Sequence, residues 1–529
     1  MAVAALVGIP VLSVLSSLLR PSGEVWRHLW QTQLLELVLN TLFLLAGVGA
    51  GTLVLGVTLA WLVVQYEFPG RAAFEWALIL PLAVPAYVLG FVFLGFYDYS
   101  GPVQAAARAW LGGDLRLPTP RSWWGVTLTM TLVFYPYVYL LARVAFREHG
   151  ATTLEAARSL GRTRTRALFE VVLPMARPSL AAGMALAMME ALADFGTVAT
   201  FGYRTLTEAV YRVWYGMFDR EAATQVASVL LLMALGLLIL ERASRGRARF
   251  TQFERRGPGI VRQRLRGWRG AVPTAVCLAV LGAAFLLPVA QLAWWAVAAA
   301  RGGSVTSRLP QLVGNTLLLA GSAAAVTCLL ATLLAYACRL QPTVLVRAAT
   351  RLAGMGYALP GAVIAVGVLT CLAGLDRAVL AFLDRLTGTG RETGLLLTGS
   401  AVGLVIAYVV RFMAVGLQPV EATLAKIPPS LDDAARSLGS GTGETLARIH
   451  LPLLRGGLLT ALVLAFVEVM KEMPATLLLR PLGFDTLTVE VWLRTSESMW
   501  EEAALPALAI VVAGLIPVTL AIRWSAGRR

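Results

Sequence analysis

The stretch Glu155-Ala156-Ala157-Arg158-Ser159-Leu160-Gly161 occurs a second time, 278 residues later, as Asp433-Ala434-Ala435-Arg436-Ser437-Leu438-Gly439. The agreement continues beyond both glycines, because Leu173-Pro174 and Leu451-Pro452 close the two stretches at the same distance. Chance does not produce such a match at one constant offset. The chain is therefore predicted to consist of two homologous halves.

Each copy carries the signals of a short helix followed by a turn. Thr152 and Ser430 each precede the acid of their copy by three residues, which is the spacing of a capping box, so each is predicted to start a helix. Gly161 and Gly439 stand where the end of a helix needs a residue with positive φ. A second helical run is predicted to end at each Leu-Pro pair. The resulting helix-turn-helix presents small alanines that another protein could approach closely.

The repeat extends beyond these loops. Asn40-Thr41-Leu42 recurs as Asn315-Thr316-Leu317, and Pro85 recurs as Pro360, both at an offset of 275. Prolines inside apolar stretches are predicted to kink the helices that contain them. Further along each half, Leu-Thr begins a segment rich in aromatic residues, predicted to be a short helix with its rings at headgroup level. These segments are residues 206–225 and 487–504.

The composition indicates a membrane protein with many spans. Of the 529 residues, 58% are hydrophobic and 14% are charged, against about 25% charged residues in an ordinary soluble domain. Twelve apolar stretches approach the roughly 20 residues that cross a bilayer. They are residues 3–19, 36–64, 73–96, 123–144, 178–201, 223–240, 271–299, 312–338, 352–374, 394–416, 456–479 and 502–523. The sequence thus predicts an all-α polytopic membrane protein with six spans in each half, the first half at residues 1–255 and the second at 256–529.

The distribution of arginine predicts the orientation of the chain. Ten Arg and a single acid lie between Arg242 and Arg269, and short loops with this bias stay in the cytoplasm. Alternating sides from there places both repeated stretches, in loops 145–176 and 418–454, in the cytoplasm as well. Topology therefore accounts for the net charge of +15, and membrane lipid rather than nucleic acid is the expected surrounding.

The span that follows each copy carries charged residues, which are costly in lipid. They are Glu190 and Asp194 in the first half and Glu468, Lys471 and Glu472 in the second. The two acids of each half are four residues apart, so they are predicted to share one face of a helix. Two interpretations stay open, an interior ion-pair network that includes Lys471 or a translocation path lined for a cation.

Nothing in the residue pattern points to an enzyme or to a resident metal. The four cysteines form no C-x-x-C pair and the three histidines are scattered along the chain, so no metal site is assigned. The sequence contains no G-x4-G-K-[ST] motif, so this chain is not expected to bind a cofactor or to hydrolyse ATP by itself.

The spacing E-A-A-x3-G-x9-[IV]-x-L-P resembles the EAA signature of ABC importer permeases, with Asp433 in place of the usual Glu. Residues 190–197 and 471–487 are similar to the corresponding segments of the fused, twelve-span permeases of ferric-iron ABC importers. The resemblance implies the type I importer fold in a bacterial inner membrane. It further implies a periplasmic binding protein on the outer face and an ATPase dimer, which uses ATP and Mg²⁺, at the repeated loops.

The same resemblance implies the solute and the residues that couple to the ATPase. Fe(III) is a hard cation that prefers oxygen ligands such as carboxylates, so the acids in the spans are compatible with it. Alternatives are a permease of this fold for thiamine, sulfate or polyamine, and a proton-coupled secondary transporter that uses those acids. The implied coupling residues are Glu155, Ala156, Ala157, Gly161, Leu173, Pro174, Asp433, Ala434, Ala435, Gly439, Leu451 and Pro452.

Overall fold

The computed structural model is almost entirely helical. It describes residues 1–20, 23–99, 101–112, 118–159, 161–245, 262–303, 307–387 and 396–526. In the described residues, twelve α-helices precede the arginine-rich linker (residues 246–261), namely α1 (Ala2–Ser16), α2 (Glu24–Thr32), α3 (Leu34–Gln65), α4 (Arg71–Ala77), α5 (Ala86–Tyr97), α6 (Pro102–Leu111), α7 (Trp123–Ser159), α8 (Arg164–Ala167), α9 (Leu173–Ala193), α10 (Gly196–Thr200), α11 (Leu206–Tyr211) and α12 (Arg220–Arg245).

Twelve more α-helices follow the linker in the described residues. They are α13 (Trp268–Leu281), α14 (Leu287–Arg301), α15 (Leu309–Leu340), α16 (Val344–Ala353), α17 (Gly361–Thr387), α18 (Ala401–Leu424), α19 (Ser430–Ser437), α20 (Thr442–Thr445), α21 (Leu451–Lys471), α22 (Pro474–Leu479), α23 (Leu487–Ser496) and α24 (Trp500–Ala526). Helices α3 and α15 have the same length and differ by the predicted offset of 275, which confirms the repeat at the level of structure.

Short elements complete the part of the chain that the structure describes. Two strands, β1 (Tyr66–Glu67) and β2 (Gln263–Arg264), form a small parallel pair. The 3-10 turns are Ser17–Leu19, Leu80–Ala83 and Gly356–Ala358. The π-helical turns are Leu168–Val172, Arg212–Gly216, Gly282–Leu286 and Leu446–His450.

Within the described residues, 11 helical segments are long and apolar enough to cross a membrane. A twelfth span results if the bent pair Arg71–Ala83 and Ala86–Trp110, whose axes differ by 93°, counts as one. This count confirms the predicted all-α architecture with about twelve spans.

Pro85 and Pro360 were predicted to kink the helices that contain them, but neither lies inside a continuous helix. Pro85 is the residue before α5, and Pro360 is the residue before α17. A 3-10 turn precedes each of them, at Leu80–Ala83 and Gly356–Ala358. Because proline disfavours helical geometry in the preceding residue, each proline instead separates two helical segments.

The chain folds into two compact units. The first unit comprises Met1–Arg27, Val210–Leu231 and Thr306–Val491. In it, α15, α18 and α21 pack on one another around apolar side chains such as Met413 and Leu454. Helix α1 packs against α16 and α17, so the beginning of the chain belongs to a unit built mainly from the second half of the sequence.

The second unit comprises His28–Ala209, Leu232–Val305 and Trp492–Arg529. Helices α3, α7 and α9 pack on one another at its centre, and α14 packs against α24. Each compact unit therefore contains segments from both halves of the sequence. The predicted boundary between residues 255 and 256 lies outside the described residues, and the division of the sequence into halves stays a prediction.

A glycine permits the close approach of α9 to α7. A Cβ atom at Gly183 would lie 2.8 Å from Val138 Cα and 3.1 Å from the Tyr137 carbonyl oxygen, both backbone atoms. Gly183→Ala is expected to destabilise the chain by about 1–3 kcal/mol, because the two helices must separate. Unfolding by denaturant, followed by tryptophan fluorescence, measures the change.

Gly236→Ala on α12 is the matched control. Apart from neighbouring backbone atoms of α12 itself, no atom lies within 4 Å of its added Cβ, so only the higher helix propensity of alanine remains. That gain is at most about 1 kcal/mol. Equal effects of the two substitutions would show that α7 and α9 are not in tight contact at Gly183.

Candidate coupling loops and interrupted membrane spans

The second copy of the repeated stretch forms the predicted helix and turn. Helix α19 begins at Ser430, and Gly439 follows it with φ +81°. The amide of Gly439 donates to the Arg436 carbonyl (3.0 Å), and the amide of Ser440 donates to the Ala435 carbonyl (3.0 Å). These two bonds are the Schellman arrangement, which needs a residue with positive φ at the glycine.

The start of α19 differs from the prediction. Ser430 is the first helical residue rather than the cap, Pro429 is at the cap position, and no side chain caps the helix. Pro428-Pro429 accounts for this, since the fixed φ of proline already favours the first turn and Ser430 is drawn into it. The two alanines also differ in exposure, because Ala435 is buried while Ala434 is exposed.

The first copy shares the turn but not the separate helix. Gly161 has φ +80°, as predicted. Helix α7, however, runs without interruption from Trp123 to Ser159, so Thr152 lies within a helix and starts none. The side chains of Glu155, Ala156 and Ala157 lie outside the part of the chain that can be described.

The Leu-Pro pairs continue a helix rather than end one. Leu173-Pro174 and Leu451-Pro452 begin α9 and α21, and each pair follows a π-helical turn directly. A proline inside an α-helix loses one hydrogen bond and clashes with the preceding turn. We interpret the wider π turn as the element that accommodates the proline ring in both halves.

Both spans that carry the predicted path residues are interrupted at an acid. Helix α9 ends at Ala193 and α21 ends at Lys471, and Asp194 and Glu472 have extended backbone geometry. The expectation of two acids on one helical face is therefore wrong in both halves, because the second acid no longer belongs to the helix.

Each of these acids caps the short helix that follows it. Asp194 accepts hydrogen bonds from the Thr197 amide (2.8 Å) and the Thr197 hydroxyl (2.6 Å). Glu472 accepts hydrogen bonds from the amides of Ala475 (3.0 Å) and Thr476 (3.2 Å). Carboxylates satisfy the unpaired N–H groups of a helix start and interact favourably with its dipole, so they stabilise the breaks.

Glu472 also pairs with an arginine that sequence reasoning missed. Its Oε1 lies 3.6 Å from Arg411 Nη1 of α18, and the two side chains are 1% and 11% exposed. Gly361 leaves room for the pair, since a Cβ atom there would collide with both groups. Arg411 stands in an apolar span, which is the sequence signal that could have identified it.

The remaining candidates have different surroundings. Lys471 Nζ lies 2.9 Å from Glu468 Oε1, and both side chains are partly exposed. Glu190 lies half-buried on α9. The ion-pair interpretation therefore holds for the Glu468–Lys471 and Glu472–Arg411 pairs, while the contribution of any of these acids to a translocation path stays a prediction.

A second buried acid, also missed by sequence reasoning, anchors the span that leads to the first loop. Glu75 of α4 lies 3.0 Å from Arg71 Nη1 and forms an ion pair with Arg147. Arg143 Nη1 donates to the Glu75 backbone carbonyl (2.8 Å). Glu75 falls within the predicted third span, so the rule that singled out Glu190 applies to it as well.

The repeated Asn-Thr pairs hold the outer segments. Asn40 Nδ2 donates to the Arg204 carbonyl (3.1 Å), and Thr41 Oγ1 accepts from the Leu206 amide (3.1 Å). In the second half, Asn315 Nδ2 donates to the Asp485 carbonyl (2.9 Å), and Thr316 Oγ1 accepts from the Leu487 amide (2.9 Å). The same device thus fixes the starts of α11 and α23.

Tyr211 in the outer segment is not the interfacial ring that the sequence suggested. It is buried and donates to the Pro474 carbonyl, while Tyr215 donates to the Leu477 carbonyl (2.8 Å). Burial raises the pKa of both phenols, and the nearby Glu472 carboxylate raises the pKa of Tyr211 further. Both tyrosines are therefore neutral donors to α22.

The described residues contain no group of three or more His, Cys, Asp or Glu side chains placed to hold a metal ion. One small polar cavity lies beside Glu472 and has room for about one water molecule. Thr316, Tyr408 and Thr488 are among the residues that line it.

The family model described as "Binding-protein-dependent transport system inner membrane component" matches residues 52–245 and 328–528. An Fe(3+)-transport system permease protein of Haemophilus influenzae is 25% identical over 94% of this chain and 91% of its own length. The molybdenum transport system permease protein of Escherichia coli is 30% identical over 41% of this chain and 96% of its own length.

A sulfate transport system permease protein of Escherichia coli is 32% identical over 35% of this chain and 67% of its own length. The two matches of the family model, one in each half, agree with the internal repeat, and the fold is that of a type I ABC importer permease. Together with the candidate spans, they establish a multi-pass protein of the bacterial inner membrane. The chain belongs to the family of binding-protein-dependent transport system inner membrane components.

Proposed function

We propose that this permease moves Fe(III) from a periplasmic binding protein to the cytoplasm, driven by a separate ATPase dimer that docks at the two repeated loops. One observation supports the solute above the others. The ferric-transport relative aligns along nearly the whole two-half chain, whereas the molybdenum and sulfate relatives align along 41% and 35% of it.

The geometry of the loops supports the coupling role. Gly161 and Gly439 have nearly the same positive φ, +80° and +81°, and Leu438 beside Gly439 is 85% exposed. Leu438 lies between two candidate spans and outside both of them, and in this proposal the ATPase covers it. In this proposal, ATP-driven closure of the ATPase dimer moves both loops and thereby switches the permease between inward-open and outward-open states.

The acids in the spans guide the ion rather than hold it, because tight binding would slow conduction. Asp194 and Glu472 already accept hydrogen bonds from the helices that they cap. Glu190 and Glu468 stay candidates for contact with the solute, because both side chains are only partly buried. No cofactor is assigned to this chain, and ATP and Mg²⁺ belong to the ATPase.

An oxyanion is the second candidate solute. The molybdenum and sulfate relatives have the higher identities, 30% and 32%, although each aligns with less than half of the chain.

Reconstitution in nanodiscs with the ATPase tests the proposal. An Fe(III)-loaded binding protein is expected to stimulate ATP hydrolysis about fivefold or more, the range of typical coupling between two sites. The same complex with a molybdate-loaded or sulfate-loaded binding protein is the control. Stimulation by the oxyanion-loaded protein alone would identify the oxyanion, and not Fe(III), as the solute. Failure of the chain to bind any ATPase would contradict the coupling role.

A further inference from the structure

The two loops connect to the membrane spans in different ways. In the first half, α7 continues from its span through the repeated stretch as one helix of 37 residues. In the second half, α18 ends at Leu424 and α19 begins at Ser430. Pro428-Pro429 in the connection prevents a continuous helix, because a proline disfavours helical geometry in the residue before it. A movement of α19 therefore has no rigid helical route into α18.

A largely buried arginine bridges this interruption. Arg339 stands at the end of α15, and its Nε donates to Asp432 Oδ2 in the first turn of α19 (2.9 Å). Its Nη1 donates to the carbonyls of Leu424 (2.9 Å) and Ile427 (3.0 Å). One guanidinium thus connects α15 with the end of α18, the interrupted connection and α19. The side chains of Arg339 and Asp432 are 15% and 14% exposed, so water and salt screen their attraction weakly.

A histidine extends the connection to the next span. His450 is the last residue of the π turn that leads into α21, and its side chain is fully buried. Its Nε2 lies 2.8 Å from Asp432 Oδ1. The ring of Tyr336 meets the His450 ring edge to face at 5.4 Å, and the Tyr336 hydroxyl donates to the Thr442 carbonyl (2.9 Å). Asp432 therefore contacts Arg339 at the end of α15 and His450 directly before α21.

The corresponding positions of the first half carry no charge. At an offset of 275, Arg339 corresponds to Val64; at an offset of 278, Asp432 corresponds to Leu154 and His450 to Val172. Val64 and Val172 are buried apolar side chains. The three polar residues thus occur in the half whose loop helix is interrupted, and apolar residues occur in the half whose helix is continuous.

We propose that Arg339, Asp432 and His450 form a clamp that transmits the movement of α19 to α15 and α21, in place of the continuous helix that serves the first half. These residues position α19 and do not contact the solute. The inference rests on the proposed coupling role of the loops. It makes the two halves mechanically different, with one lever built from a helix and the other from a side-chain network.

Asp432→Asn tests the clamp, since it removes the charge at nearly constant volume. In the reconstituted complex, the uptake of Fe(III) per ATP hydrolysed is expected to fall about tenfold, within the usual range of coupling between sites. Copurification with the ATPase is expected to persist. In the permease alone, amide hydrogen exchange across residues 430–438 is expected to rise about tenfold. Glu221→Gln is the control, because its carboxylate makes only a 4.0 Å contact with Arg20 in which both side chains are half exposed.

The triple variant Arg339→Val, Asp432→Leu, His450→Val separates a clamp from simple filling of space. It installs the residues of the first half, and uptake is expected to stay as low as in Asp432→Asn. Recovery of normal uptake would overturn the clamp. If Asp432→Asn fails to assemble, His450→Gln keeps the pair of Arg339 and Asp432 and is expected to reduce uptake per ATP about threefold, a smaller share of the same coupling.

The exchange measurement keeps this inference distinct from the proposed function. Unchanged exchange in Asp432→Asn would overturn the clamp whether or not the complex transports anything. Increased exchange together with a wild-type complex that neither binds the ATPase nor transports would support the clamp as a local structure and contradict the coupling role on which its function depends.

Discussion

A chain carrying Glu472→Ala is expected to lose about 3–5 kcal/mol of folding free energy, the usual cost of removing one partner of a buried ion pair. Arg411 would keep its charge in a site where its side chain is 11% exposed. The amides of Ala475 and Thr476 at the start of α22 would also lose their acceptor. Unfolding by denaturant in detergent, followed through the fluorescence of the 14 tryptophans, measures the loss.

Glu468→Ala, one helical turn earlier, is the matched control. Its pair with Lys471 is partly exposed, at 30% and 18%, so its loss is expected to cost about 1 kcal/mol or less. Combining Glu472→Ala with Arg411→Leu should recover part of the stability, since an apolar pair needs no compensation. Unchanged stability of Glu472→Ala, together with slower transport, would instead favour a direct role of Glu472 in the translocation path.

The repeat made much of the fold predictable. Residues at a constant offset share their local chemistry, so the structure of one copy is expected in the other. The π turns Leu168–Val172 and Leu446–His450 lie 278 residues apart, and so do the positive-φ glycines. Apolar length alone gave the number of spans, because a bilayer imposes one minimum length on every crossing helix.

The breaks at Asp194 and Glu472 could not be predicted from the same pattern. Hydropathy reports whether a segment tolerates lipid and not whether its backbone stays helical. In the sequence, an acid that caps a helix break looks the same as an acid that lines a translocation path, because both are single carboxylates in an apolar segment. Only the hydrogen bonds from Thr197 and Thr476 distinguish them. The threonine that follows each acid by three or four residues was the available signal.

The packing partners of the terminal helices were also beyond the sequence. Helix α1 packs on α16 and α17, and α24 packs on α14. Apolar side chains form no directional bonds from which a packing partner could be predicted. In lipid, which helices pack together depends on how closely their surfaces fit. Gly367 is an example, since a Cβ there would lie 2.7 Å from the Pro10 carbonyl oxygen of α1.

Gly439→Val is expected to reduce coupled transport at least tenfold. The glycine has φ +81°, which an L-residue with a branched Cβ adopts only at a cost of about 1–3 kcal/mol. The turn is expected to rearrange and to lose the amide bonds to Arg436 and Ala435 that close α19. Leu438 would then move away from the position at which the ATPase is proposed to contact it. Copurification with the ATPase and uptake in proteoliposomes measure the effect, and Gly161→Val should act similarly because its φ is +80°.

Gly441→Val isolates the backbone as the cause. It lies two residues further along the same turn with φ −70°, a geometry that valine adopts readily, and neither glycine has an atom within 4 Å of its added Cβ. The two substitutions therefore add the same side chain to the same loop and differ in the sign of φ. Gly441→Val is expected to retain most of the transport. If both variants transport equally well, the turn does not set the geometry of coupling, and the exposed surface of α19 must carry the interaction with the ATPase by itself.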